Sequence, residues 1–165
     1  MYNYYERISR DYDVLTRRLI ERGIRISTME SATAGLIASL ITDTEGASAI
    51  YRGSYVTYCN ETKIKCGVPV DVITEKGVYS LETAEAMATT CRREFLANIG
   101  VGISGTMGNI DPENEDSVPG QIFFAIDYDG KVKSFTRQLA PRGTRFEYKM
   151  AVADEIVQEL LRMIE

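Results

Sequence analysis

Between Tyr4 and Arg22 the apolar positions fall at Ile8, Tyr12, Leu15 and Leu19, a spacing of three and four that lays one stripe along a helix stopped by Gly23. The period then changes. "IRISTM" alternates as a strand does, and "AGLIASLITDT" after it returns to helical spacing. "GSYVTYC", rich in β-branched and aromatic residues, predicts a second strand, followed by a short polar helix in "NETKIKCG" and a connection through Pro69. Ser80 suits the N-cap of a helix written by "LETAEAMATTCRREFLANIG", which feeds the apolar strand "VGISG". "QIFFAIDYDGKVKSFTRQLA" predicts two strands joined at Asp129-Gly130, a dipeptide favoured by two-residue hairpin turns. A final helix runs roughly from Thr144 to Met163.

This alternation with one late hairpin predicts an α/β sandwich whose sheet is mixed and whose helices cover both faces. The 165 residues suit one domain, spanning 1–165. "NIDPENEDSVPG", residues 109–120, reads as a surface loop, and no repeat or linker interrupts the chain.

Composition then narrows the function. No apolar run approaches the ~20 residues a membrane span needs. The N-terminus has neither a basic start nor an apolar segment of the export type, so the expected compartment is the cytoplasm. Nineteen basic against 24 acidic residues give a net charge of -5, and the basic residues do not cluster, which argues against a nucleic-acid binder. Cys59, Cys66 and Cys91 form no CxxC pair and fit reduced thiols. There is no histidine. Its absence removes every Ser-His and Cys-His nucleophile pair and the commonest metal-ligand sets, leaving proton transfer to Lys, Tyr, Asp, Glu or Cys.

Three stretches can carry chemistry. In "TMESATAG", residues 28–35, Ser31 stands where a strand gives way to a helix; it is either that helix's N-cap or a nucleophile beside unpaired backbone N–H groups able to hold an anion. In "VTYCNETKIKCG", Tyr58, Asn60 and Lys63 lie at a strand's carboxyl end, where ligands gather in open α/β sheets. Lys63 is either solvated or, if withdrawn from water, a general base with a tyrosine as relay. In "GISGTMG", residues 102–108, Gly105 and Gly108 permit close backbone approach, for a ligand or simply for a turn.

Order and spacing of the three resemble one family, the CinA C-terminal domain or nicotinamide-nucleotide amidase. That family's pattern runs ESCTGG after a strand, VTYSNxxK at the end of the next, and SGIAGP after a third; here "ESATAG" (30–35), "VTYCNETK" (56–63) and "SGTMGN" (104–109) stand in their places. The resemblance covers roughly residues 8 to 163. It implies a three-layer α/β/α sandwich with a mixed, mostly parallel sheet, and hydrolysis of the carboxamide of nicotinamide mononucleotide to nicotinic acid mononucleotide and ammonia. It further implies Ser31 as nucleophile, Lys63 as its base and Tyr58 as the partner of Lys63. The backbone amides around Thr33 to Gly35 would hold the oxyanion or the phosphate. Glu30, Thr33, Ala34, Gly35, Asn60, Ser104, Gly105, Thr106 and Arg145 are the substrate-binding positions, and no cofactor or metal is implied. The expected partners are a small nucleotide substrate and further copies of the chain, a dimer being simplest, with Tyr2, Tyr4 and Tyr5 as one candidate interface; nucleic acid and membrane are not expected.

The chain departs from the pattern at defined points. Ala32 replaces a cysteine, Ala34 a glycine, and Thr144 the acidic residue of a GDR motif whose Arg145 is kept. The third motif loses glycines and gains Asp111, Glu113, Glu115 and Asp116, which would repel a phosphate dianion if they faced the site. Two alternatives to the amidase reading follow: a catalytically silent member that binds a nucleotide or a protein, and a hydrolase of a different small amide.

Overall fold

The computed structural model describes residues 3–165. Helix α1 (Tyr4–Arg22) opens with a capping box, Asn3 accepting from the Glu6 N–H while the Glu6 carboxylate accepts from the Asn3 N–H, and it closes on Gly23 at φ 64°. Its stripe of Ile8, Tyr12, Leu15 and Leu19 is wholly buried. There follow β1 (Ile26–Glu30), α2 (Leu36–Thr42), a 3-10 turn (Ala47–Ala49), β2 (Tyr51–Val56), α3 (Asn60–Lys65), α4 (Val70–Lys76), α5 (Leu81–Glu94), β3 (Ile99–Gly105), β4 (Gln121–Tyr128), β5 (Lys131–Gln138) and α6 (Arg145–Met163).

The five strands form one sheet in the order β2-β1-β3-β4-β5. β2, β1 and β3 are parallel; β4 runs antiparallel to both β3 and β5, so β4 alone points the other way. The sheet is therefore mixed and mostly parallel in direction. α1, α2 and α6 pack together over one face, and α5 with α4 beside it covers the other. Alternation along β4 decides which residue serves which layer: Ile122, Phe124 and Ile126 join the core under α1 and α6, while Phe123 and Ala125 meet Ala84 and Ala88 of α5. On β3 the α5 face is glycine. A Cβ on Gly102 would stand 2.1 Å from the Ala84 carbonyl oxygen, so this helix rests directly on the strand backbone.

The hairpin turn at Asp129-Gly130 has φ of 49° and 89°, the two left-handed residues that a type I′ turn requires. Three expectations shift. α5 ends at Glu94 rather than continuing toward Gly100, because Leu96 adopts φ 51° and the Ala97 N–H folds back to the Arg92 carbonyl. β2 begins at Tyr51 and ends at Val56, since the Thr57 N–H makes the last bond, to the Glu30 carbonyl, before the chain turns away. The connection after Pro69 is itself helical, α4 starting immediately behind the proline, whose fixed φ and missing donor suit a helix entrance. Among the described residues no helix is long and apolar enough to cross a membrane. Tyr2 lies outside the described residues; Tyr4 and Tyr5 stack edge to face, and Tyr5 packs against Phe146 at 5.5 Å.

Candidate functional site

β1 connects to β2 on one side of itself and has β3 on the other, so the chain's path diverges at the β1 carboxyl end, where an open α/β sheet leaves a crevice. Ser31 follows β1 immediately, and its N–H donates to the Ile103 carbonyl of β3 at 3.0 Å. Thr106 follows β3; Tyr58, Cys59 and α3 follow β2. These ends enclose a cavity of about 600 Å³, within the size range of small-molecule sites. Ser31, Ala32, Tyr58, Asn60, Lys63 and Arg145 all line it.

Lys63 is the central fact of the site. Its position on α3 turns the side chain inward, leaving it 1% exposed, so it is not the solvated lysine that its residue type predicts. The ammonium donates to Ser31 Oγ at 3.2 Å and to the Thr57 carbonyl at 3.1 Å. Burial lowers its pKa from the ordinary 10.5 to about 8, while Cys59, Asp111 and Glu61 act in the opposite sense. A lysine so placed is partly neutral near physiological pH and touches a serine hydroxyl.

Ser31 is not a helix cap. α2 has Gly35 at its N-cap position with no side-chain bond there. The capping falls to Glu30, fully buried, whose Oε2 accepts from the N–H groups of Gly35 (3.0 Å) and Ile37 (3.1 Å) and from Thr33 Oγ1 (2.6 Å), and whose Oε1 accepts from the Ala38 N–H (2.8 Å) and Thr28 Oγ1 (2.9 Å). A carboxylate at a helix N-terminus satisfies orphan donors and opposes the positive end of the helix dipole. Of the amides expected to receive an anion, that of Gly35 is therefore taken by Glu30, and that of Ala34 donates to the Ser31 carbonyl. Among the described residues the N–H groups of Ala32 and Thr33 form no hydrogen bond, which moves the available donors to the two residues directly after Ser31.

The other expected positions divide. Tyr58 is 65% exposed on the opposite wall; its hydroxyl accepts from Arg145 Nη2 at 3.1 Å and makes no hydrogen bond to Lys63 or Ser31. Asn60 faces the cavity and donates to Asn114 Oδ1 at 3.3 Å. Gly105 and Thr106 line it; Gly105, at φ 148°, also lies so close to β4 that a Cβ would stand 2.7 Å from the Ile122 Cα. Ser104 is turned away, fully buried and donating to the Val78 carbonyl at 2.7 Å, and Glu30, Thr33, Ala34 and Gly35 form the turn beneath the cavity rather than its lining.

Sequence reasoning missed how the loop after β3 is fastened. Tyr79 donates to Asp111 Oδ2 at 2.6 Å, as does Asn114 Nδ2 at the same distance, and the Ser117 hydroxyl accepts from the Asp111 N–H at 2.9 Å. These bonds hold the Asp111 carboxyl below the usual range, first through Tyr79. The loop thus forms a wall of the cavity, with Asp111 and Glu113 on the lining and Glu115 and Asp116 off it. Among the described residues no group of three or more cysteine, aspartate or glutamate side chains gathers as a metal site would require.

The profile of the CinA C-terminal domain family matches residues 11–164, nearly the whole chain. The chain belongs to the CinA C-terminal domain family. A putative competence-damage inducible protein of Halothermothrix orenii is 37% identical over 125 residues, covering 74% of this chain and 30% of that protein. A CinA-like protein of Cytophaga hutchinsonii is 40% identical over 116 residues, 70% of this chain and 28% of its own length. The chain thus spans about a third of the length of the curated relatives it matches. Among solved structures, a competence/damage inducible protein from Agrobacterium tumefaciens superposes with a TM-score of 0.82 at 29% identity, over 94% of this chain and 96% of that one. A competence-damaged protein (CinA) superfamily protein from Escherichia coli gives 0.86 at 25% identity, over 99% and 93%. The CinA family fold is thus shared along nearly the full chain.

Proposed function

We propose that this CinA-family chain is a serine amidase that hydrolyses the carboxamide of a nicotinamide nucleotide or a closely related small amide. The observation that carries the reading is the 3.2 Å contact between Lys63 Nζ and Ser31 Oγ in a buried, histidine-free site. A Ser-Lys pair performs acyl transfer without imidazole.

In this reading neutral Lys63 accepts the Ser31 proton as Oγ attacks the amide carbon, and the developing oxyanion meets the free N–H groups of Ala32 and Thr33. Lys63 then returns the proton to the departing nitrogen, the C–N bond breaks, and ammonia leaves an acyl-Ser31. Water, deprotonated by the same lysine, cleaves that ester to release the carboxylic acid and restore Ser31. The Thr57 carbonyl holds Lys63 Nζ in line with Ser31 throughout. Tyr58 and Arg145, bonded to each other on the cavity lining, bind the part of the substrate that does not react.

The test is ammonia release from nicotinamide mononucleotide and its dephosphorylated riboside by wild type, Ser31→Ala and Lys63→Met. Release by the wild type and loss of at least about a thousandfold in both variants supports the reading. Release from neither substrate by folded wild type refutes it in favour of a silent binding member.

A further inference from the structure

The turn of residues 31–35, between β1 and α2, is tied to the rest of the fold at two points. At its start the Ser31 N–H donates to the Ile103 carbonyl of β3 at 3.0 Å. In its middle the Thr33 hydroxyl donates to Glu30 Oε2 at 2.6 Å, the shortest of the five bonds that this carboxylate accepts. The N–H groups of Ala32 and Thr33 lie in the chain between these ties. Two bonds within the turn, from the Ala34 N–H to the Ser31 carbonyl and from the Leu36 N–H to the Thr33 carbonyl, set its peptide planes.

Glu30 is a rigid anchor. It is fully buried, and it stands in register with Val56 of β2 on one side and Ile103 of β3 on the other. Its carbonyl accepts from the Thr57 N–H at 2.8 Å, and Thr28 of the same strand donates to its Oε1 at 2.9 Å. One side chain thus fastens both the start of α2 and Thr33 to the middle of the sheet.

Capping α2 does not require the bond to Thr33. The cap consists of the three N–H groups of Gly35, Ile37 and Ala38, whereas the Thr33 hydroxyl satisfies no backbone donor of the helix. What that hydroxyl does is fix Thr33, and with it the Ala32–Thr33 peptide, beneath Ser31. Oxyanion donors act by being in place before charge develops, and a displacement of about 1 Å costs on the order of a hundredfold in rate.

Resting on the amidase reading, we infer that Glu30 is a positioning residue for the oxyanion site: through the Thr33 hydroxyl it holds the N–H groups of Ala32 and Thr33 where the substrate oxygen becomes negative. Glu30 touches no reacting atom. Its contribution is felt in the transition state and not in the binding of the amide, because the ground-state carbonyl oxygen does not yet carry the charge those donors meet.

The experiment measures kcat and KM for ammonia release from nicotinamide mononucleotide or its riboside, whichever the wild type turns over, together with inhibition by pyridine-3-boronic acid. In that inhibitor's adduct Ser31 Oγ adds to boron, its proton passes to Lys63, and a boron-bound hydroxyl takes the oxyanion position. Because Glu30→Ala removes the cap as well, the decisive variant is Thr33→Val, which deletes one hydroxyl and leaves the three backbone bonds of Glu30 in place. The expected result is a fall in kcat of about tenfold or more with KM within about twofold, and a loss of boronate affinity by the same factor. Thr33→Ser, which keeps the hydroxyl, should restore most of both. Glu30→Gln should do far less harm than Thr33→Val, since its amide can turn the NH2 group toward Thr28 and still accept from Thr33. Wild-type kcat and boronate affinity in Thr33→Val would overturn the inference, leaving Glu30 a helix cap only and the amidase reading intact. A rise in KM with kcat unchanged, or a Glu30→Gln variant as impaired as Thr33→Val, would overturn it too. No ammonia from either substrate with folded wild type removes the amidase reading and this inference with it.

Discussion

Replacing Lys63 with methionine should abolish activity and at the same time stabilise the fold at neutral pH. Methionine has nearly the length of lysine and fills the same volume without a charge. In the folded protein the Lys63 pKa falls from 10.5 to about 8, which at 1.36 kcal/mol per pH unit means that keeping the proton at pH 7 costs about 3.4 kcal/mol of stability. Against this, the variant loses the bonds to Ser31 and to the Thr57 carbonyl, worth about 1 kcal/mol each. The net expectation is a gain of roughly 1 to 2 kcal/mol at pH 7.

The pH dependence separates this cause from better packing. The unfolded chain holds the Lys63 proton up to about pH 10.5 while the folded chain releases it above about pH 8, so between these values the unfolded state binds more protons. Wild-type stability therefore carries a term that rises with pH across that window, and the variant lacks it. Urea unfolding of both proteins at pH 7 and pH 10 should show the advantage of Lys63→Met falling by roughly 2 to 3 kcal/mol. An advantage independent of pH, or a variant less stable than wild type by more than about 1 kcal/mol at pH 7, would refute the buried-ammonium account.

Two further perturbations probe the turn under the nucleophile. Ala34 stands at φ 50° where the family pattern has glycine, so Ala34→Gly should relieve about 1 kcal/mol of left-handed strain and raise the melting temperature by roughly 2 to 4 °C in calorimetry. Glu30→Ala removes an acceptor that serves three N–H groups and two hydroxyls, and should lower stability by about 3 kcal/mol or more in urea unfolding. A loss below about 1 kcal/mol would mean that water replaces the carboxylate there.

The periodic elements were legible because a single face or alternation encoded them, as the α1 stripe and the Asp129-Gly130 turn do. The Ser31–Lys63 pairing was legible only through motif order: nothing local joins positions 32 residues apart, and residue type alone would have left Lys63 in water. Glu30 was expected at the substrate and instead caps α2 beneath the cavity, although a carboxylate shortly before a helix is the signal a dipole argument would use. The fastening of the loop could not be read at all, since Asn60–Asn114 and Tyr79–Asp111 join segments 54 and 32 residues apart through side chains that also suit solvent. Ala34, expected as a substrate-binding position, instead lies beneath the cavity with its backbone in the left-handed region.

A histidine-free site must make its base by withdrawing lysine from water, and the withdrawal has to stop short of abolishing the charge altogether. Burial lowers the Lys63 pKa, while Cys59, Asp111 and Glu61 hold it up, so residues of the cavity wall set the pH at which the lysine is free of its proton. The kcat/KM profile should therefore rise with unit slope and reach half its plateau near pH 8, with activity lost as pH falls and Lys63 takes up its proton. Glu61→Gln removes one of the charges that favour the ammonium, so its midpoint should move to lower pH. Glu61 is exposed, and salt should shrink the displacement. A midpoint that stays in place in Glu61→Gln at low salt, or moves upward, would mean that the Glu61 charge does not reach Lys63.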